Sequence, residues 1–177
     1  MRREYFVWMI LLGVAFFYSC KNEPKPTTEN KILQGDDGTI SLKVDNADCY
    51  HDMVNPSSNT AEWNVVVSKS GRFDVWLSSA TRDTTNLKYE NSVTLSILEN
   101  RLEGHPVCDR IILNSSEVSY PYFRADSFLG SLYIQDTGLY NIQVVSEKII
   151  PKDYTGDDTS VADNSKLLSV ILTPVTH

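Results

Sequence analysis

From Thr39 onward the chain alternates apolar and polar residues with a period of two. Ile40, Leu42 and Val44 alternate with Ser41, Lys43 and Asp45. The same rhythm runs through Trp63-Val65-Val67, Phe73-Val75-Leu77 and Val93-Leu95-Ile97. It returns in Ile111 with Leu113, Leu132 with Ile134, Tyr140-Ile142-Val144 and Val170 with Leu172. Side chains on a strand point to opposite faces in turn, so this pattern predicts half-buried antiparallel strands. Turn chemistry separates them at Ser70-Gly71, Asn100 to Gly104, Asp136-Thr137-Gly138 and Gly156-Asp157-Asp158. Beyond the first twenty residues no long window carries a helical stripe. The pattern therefore predicts an all-β domain over residues 39–177, an antiparallel β-sandwich or jelly roll.

Residues 1–19 follow a different rule. Arg2 and Arg3 precede an unbroken apolar run from Tyr5 to Tyr18, closed by the small residue Ser19 and then Cys20. A hydrocarbon core needs ~20 helical residues to cross, so this shorter run reads as an export signal. Phe17-Tyr18-Ser19-Cys20 resembles the loose lipobox of Bacteroidetes-type outer-membrane lipoproteins. The resemblance implies cleavage before Cys20, diacylation of its sulfur with palmitate-like chains, and a lipid bilayer as partner. Two or more acyl chains, at ~0.8 kcal/mol per buried methylene, make such an anchor durable. Residues 20–38 are polar and carry two prolines, which predicts a flexible tether. Cys20-Lys21-Asn22-Glu23 also resembles the lysine-plus-acid signal that directs such lipoproteins to the outer face of the outer membrane.

Charge narrows the partners. Removal of residues 1–19 takes away Arg2, Arg3 and Glu4 and shifts the formal net charge from −7 to −8. A surface this acidic repels phosphate backbones and excludes nucleic acid as a partner class. Apart from Cys20 there are two cysteines, Cys49 and Cys108. In an exported protein such a pair is a disulfide candidate, and one sequence does not show whether the two sites meet. No Cys-x-x-Cys or Cys/His cluster is present, so neither a metal nor another cofactor is expected.

The segment from Ala61 to Ala80, with Trp63-Asn64-Val65-Val66-Val67 and Gly71-Arg72-Phe73-Asp74-Val75-Trp76-Leu77, reads as strand, turn, strand: a hairpin with one apolar inner face. It is similar to the hairpin of galactose-binding-like domains, which include family six carbohydrate-binding modules and the C-terminal β-domains of α-L-fucosidases. Ile40 to Ala47, Leu129 to Ile134 with Gly138 to Ile142, and Leu168 to Pro174 resemble the opening strand, late hairpin and closing strand of the same plan. The resemblance implies a jelly roll with a glycan site among the loops at one end. The first strand lacks the glutamate that helps hold a structural calcium in the sugar-binding modules, so no calcium is expected.

Sugar sites need flat aromatic faces against ring C–H groups, with a few polar groups for the hydroxyls. Trp63 falls on the inner face of its strand and is assigned to the core. Alternation puts Trp76 on the outer face, as a candidate platform. Loop candidates are Tyr50 and His51 after Cys49, Tyr89, and Asn164 before the last strand. Asp153, Asp157, Asp158 and Asp163 do not have the spacing of a calcium loop. Asp83-Thr84-Thr85 resembles a Bacteroidetes O-glycosylation triplet. No nucleophile elbow, zinc-protease helix or phosphate loop is present, and no catalytic residue is assigned. The expectation is a non-catalytic, lipid-anchored carbohydrate-binding module of the cell envelope. The rival is the same fold serving as an interaction or structural subunit of an outer-membrane protein complex. For the anchor, Cys20→Ala is expected to abolish incorporation of a palmitate analogue in cells; labelling that persists would refute the acylation site.

Overall fold

The computed structural model describes residues 31–150 and 165–176. The expectations placed on Cys20, the turn at Gly156-Asp157-Asp158, the acidic residues 153–163 and Asn164 lie outside them. The described residues form eleven strands: β1 (Lys31–Leu33), β2 (Ile40–Lys43), β3 (Asp48–Tyr50), β4 (Thr60–Val67), β5 (Gly71–Thr81), β6 (Val93–Ile97), β7 (Asn100–Gly104), β8 (Arg110–Ile112), β9 (Phe123–Ile134), β10 (Gly138–Val145) and β11 (Lys166–Pro174). A six-stranded sheet runs β1-β4-β10-β6-β7, with β3 also paired to β4; a five-stranded sheet runs β2-β11-β5-β9-β8. Among the described strands only β1 with β4 is parallel. The protein is an antiparallel β-sandwich, as its alternation predicts.

Nearly every apolar position picked out by period two faces inward. Ile40, Leu42, Val65, Val75, Leu77, Leu95, Ile142, Val170 and Leu172 are fully buried between the sheets. Trp63 is core as well, and its indole N–H donates to the Lys43 carbonyl at 2.9 Å, tying one sheet to the opening strand of the other. Leu113 is the exception: it lies exposed past the end of β8, and the alternation stops at Ile111.

Four sequence expectations are corrected. Ala61 to Ala80 is not a hairpin. β4 and β5 do not pair; they lie in opposite sheets, and the turn between them is an arch. The same holds for β9 and β10. Alternation decides which side of a strand meets the core, and says nothing about which neighbour it bonds. Asn100 to Gly104, read as a turn, is strand β7, paired with β6 from Val93↔Gly104 to Ile97↔Asn100. The tether expected over 20–38 does not include its last residues, because Lys31–Leu33 pair with Asn64–Val66. The cysteine pair, left open by the sequence, is a separate matter: Cys49 and Cys108 are free thiols. Cys49 sits on β3, which flanks β4, whereas Cys108 leads into β8 on the far side of β9, so the topology puts them on different flanks.

Gln34 holds the arch in place. Its side-chain oxygen accepts from the backbone N–H groups of Ser68 (2.9 Å) and Lys69 (2.7 Å), and its amide nitrogen donates to the carbonyls of Gly38 (2.7 Å) and Lys69 (3.2 Å). Gly38 has φ +85, a left-handed conformation that favours glycine, and an added Cβ would come within 3.1 Å of the Pro174 ring. The carbonyl it offers Gln34 depends on that backbone shape. Gln34→Ala should lower unfolding free energy by about 2 kcal/mol, because several bonds are lost and two turn N–H groups lose their acceptor. Urea unfolding checks this, and a cost within error of zero would contradict it.

Candidate functional site

At one end of the sandwich the β6–β7 turn and the β9–β10 turn stand side by side. Between them is an open groove of about 530 Å³. That volume is within the ~300–1,000 Å³ usual for small-ligand clefts. Its apolar lining comes from Ile97 and Ile134, the last inward residues of β6 and β9, and from Tyr140, the first inward residue of β10; its remaining lining is Leu98, Glu99, Asn100, Tyr133, Gln135 and Asp136. Alternation explains the split. Ile134 and Leu132 point into the core, so Tyr133 between them points out and is 60% exposed.

Local bonds fix the two turns. The Tyr140 hydroxyl donates to the Asp136 carbonyl at 2.7 Å. The Asn100 side-chain amide donates to the Tyr133 carbonyl at 3.3 Å, joining one sheet to the other across the groove. Leu98 has φ +50, a conformation that costs a branched residue of its kind about 1 kcal/mol. It nevertheless carries an apolar side chain that is 76% exposed at the groove. The carboxylates of Glu99 and Asp136 and the amide of Gln135 make no hydrogen bond or ion pair with the described residues. The groove thus offers one flat ring, an apolar lining, and acceptors and donors left for a ligand.

The structure disperses the residues singled out from the sequence. Tyr50 and His51 are exposed at the other end: Tyr50 pairs with Thr60 at the start of β4, while the β10 residue nearest the groove turn, Gly138, pairs with Val67 at its finish. Eight residues of strand separate the two ends, roughly 25 Å. Trp76 does lie on the outer face of its sheet, half-buried. Its ring is not open, however: the Arg110 guanidinium sits 3.7 Å from its centroid, and Phe128 packs against it at 5.2 Å. Tyr89 is corrected outright. It is only 6% exposed, within the core, with its hydroxyl 2.8 Å from the Ser79 hydroxyl. Burial pushes its phenol well above the usual tyrosine range, with the nearby Glu147 carboxylate adding to the rise. An isolated loop tyrosine carries no periodicity, so its burial had no signal in the chain.

Tyr133 and the turn residues opposite it were missed by sequence reasoning. The outward direction of Tyr133 was readable from Leu132 and Ile134. Its proximity to Glu99 and Asn100 was not, because the two turns meet only through the pairing order of the sheets. The cysteines add no chemistry: burial, joined by acidic neighbours, raises both thiols and keeps them protonated.

No protein-family model matches the chain, and no curated protein matches it. Among solved structures it is similar to an α-L-fucosidase from Vibrio sp. strain EJY3, at 20% identity and a TM-score of 0.60, over 81% of this chain and 24% of that one. It is also similar to a GH26-CBM35 β-(1,4)-mannanase of Podospora anserina, at 11% identity and a TM-score of 0.47, over 80% of this chain and 28% of that one. The chain spans about a quarter of the length of either relative. The fucosidase likeness is one of fold, at the level where the Ala61–Ala80 segment resembled such domains.

Tyr89 supplies a test of the corrected assignment. A phenol whose folded pKa is raised stabilises the fold below its unfolded pKa of ~10, and that stability is lost as pH rises above it. Tyr89→Phe should cost about 1 kcal/mol at neutral pH through the lost Ser79 bond. It should also remove part of the alkaline destabilisation. Identical alkaline unfolding of the two proteins would show that Tyr89 is solvated.

Proposed function

We propose that this chain is a membrane-anchored, non-catalytic carbohydrate-binding module whose glycan lies in the groove between the β6–β7 and β9–β10 turns. The observation that carries this reading is the exposed Tyr133 ring beside three unpartnered polar side chains and an apolar lining. A pyranose ring presents C–H groups to an aromatic face and hydroxyls around its edge, and the groove complements both. General acid catalysis asks for a carboxyl desolvated in a closed site. Glu99 and Asp136 are open to solvent, which suits holding hydroxyls. The acyl anchor is carried by the sequence around Cys20, with the polar residues that follow as its tether to β1. Attachment to the outer membrane, facing outward, follows from the same segment.

A second reading, docking to an envelope protein, is favoured by Tyr50, Met53 and Val54, which stand exposed within one short loop at the opposite end. Binding of the full-length chain to neutral plant and bacterial polysaccharides separates the two. Tyr133→Ala should weaken glycan binding by at least tenfold, equivalent to ~1.4 kcal/mol, without changing the melting temperature. Unchanged affinity would remove the groove as the site. Loss of a co-purifying protein in Val54→Asp, with no polysaccharide bound by the wild type, would favour the docking reading.

A further inference from the structure

The outer face of the five-stranded sheet carries a second arrangement, remote in kind from the groove. Cross-strand registers put Lys43, Ser169, Ser78, Asp126 and Arg110 in one row across β2, β11, β5, β9 and β8. All five alternate with core residues, so all five point outward. Yet Ser78 is fully buried, Ser169 is 2% exposed and Asp126 is 5% exposed. Something covers this part of the face, and Glu117 is the residue that spans it. It belongs to the segment 113–122 between β8 and β9. One carboxylate oxygen is 2.7 Å from the Arg124 guanidinium, and the other is 3.6 Å from the Lys43 ammonium. β2 and β9 are separated by two intervening strands, so the strap is pinned from both sides of the row by one acidic side chain.

Beneath the strap the row is incompletely satisfied. Ser78 donates to Asp126 at 2.8 Å, and Arg124 binds the same carboxylate at 2.8 Å. The Ser169 hydroxyl, between Lys43 and Ser78, has no hydrogen-bond partner at all. Such a buried group costs stability. With Glu117 swung out, Lys43 and Arg124 would face the carboxylate of Asp126, with Arg110 held over Trp76 and Asp109 bonded to the Phe128 N–H beside them, three cations against two carboxylates. That is a local cationic site on a protein whose net charge is −7.

We propose that this row is a covered binding site for carboxylate-bearing sugars, and that Glu117 is an internal stand-in for the ligand's carboxylate. An acidic saccharide displaces the strap, its carboxylate takes the place of Glu117 between Arg124 and Lys43, and its hydroxyls engage Ser169 and Asp126. The neighbouring row supports a sugar over an acidic peptide. There Trp76 is paired with Phe128, whose ring is 45% exposed and offers a stacking face beside the site. Opening the strap draws on the binding energy, so affinity in the wild type is held down by the fraction of molecules already open.

The test uses the full-length chain in nonionic detergent, with polygalacturonate, neutral galactan and polyglutamate as probes in affinity electrophoresis. Glu117→Gln should raise the affinity for polygalacturonate about tenfold and leave galactan binding as it was. Adding Ser169→Ala should reverse several-fold of that gain without lowering stability, since its hydroxyl has no bond to lose. Lys43→Gln in the same background should do likewise, and Tyr133→Ala should leave polygalacturonate binding intact, which separates this site from the groove. A Glu117→Gln chain that binds no tighter, or one indifferent to Ser169→Ala, overturns the proposal. Equal binding of polyglutamate overturns the assignment to sugars. Should Glu117→Gln fail to fold, hydrogen exchange on the wild type decides. Saturating polygalacturonate should speed exchange in 113–122, and unchanged exchange there refutes a displaced strap.

Discussion

Everything in this fold depends on the chain changing sheets between Val67 and Gly71. The apolar sides of β4 and β5 then face each other across the interior instead of lying side by side. A turn that does this leaves backbone groups with no ladder partner, and the Gln34 side chain supplies both acceptor and donor to them. β1 exists to deliver Gln34: three residues pair in parallel with β4 and set the glutamine at the arch. Once the arch is held, Trp63 reaches across to the Lys43 carbonyl and the two sheets are locked at the opposite end as well.

Period two made the inner faces legible, and Trp63, Val65, Phe73, Val75, Leu95, Ile142 and Val170 are buried where the alternation put them. Pairing was not legible, because the same alternation serves a hairpin and an arch equally well. β1 and β7 escaped for related reasons. Lys31–Leu33 is too short to show a period, and Asn100–Gly104 has the polar composition of a turn while lying on an outer strand with partial burial. Candidate residues divided in the same way. Trp76 lies outward as its spacing required, but the cation covering it comes from β8, a strand remote in the chain that nothing in Trp76's own neighbourhood could reveal. Tyr89, a ligand candidate from the sequence, is core, and Tyr133, which was not singled out, is exposed.

That contrast has a physical source. A strand residue flanked by two buried neighbours must point outward, so Tyr133 is forced into solvent by Leu132 and Ile134. A loop residue is under no such constraint, and Tyr89 folds back to fill the end of the sandwich, where Ser79 offers a partner for its hydroxyl.

The two proposed sites differ in the sign of their charge, and this gives them different ligands. The groove carries Glu99 and Asp136 with no cation among its lining residues, so it repels an acidic polysaccharide and suits a neutral one. The row on the outer face has the reverse balance once Glu117 leaves it, with Lys43, Arg124 and Arg110 against Asp126 and Asp109. An acidic protein that left such a cluster open would bind anions wherever it met them. Covering the cluster with its own carboxylate limits it to ligands that compete on more than charge, through hydroxyls for Ser169 and a ring face for Phe128. The strap is therefore best understood as a filter: it raises the threshold for simple anions and leaves the row to sugars that satisfy the rest of it.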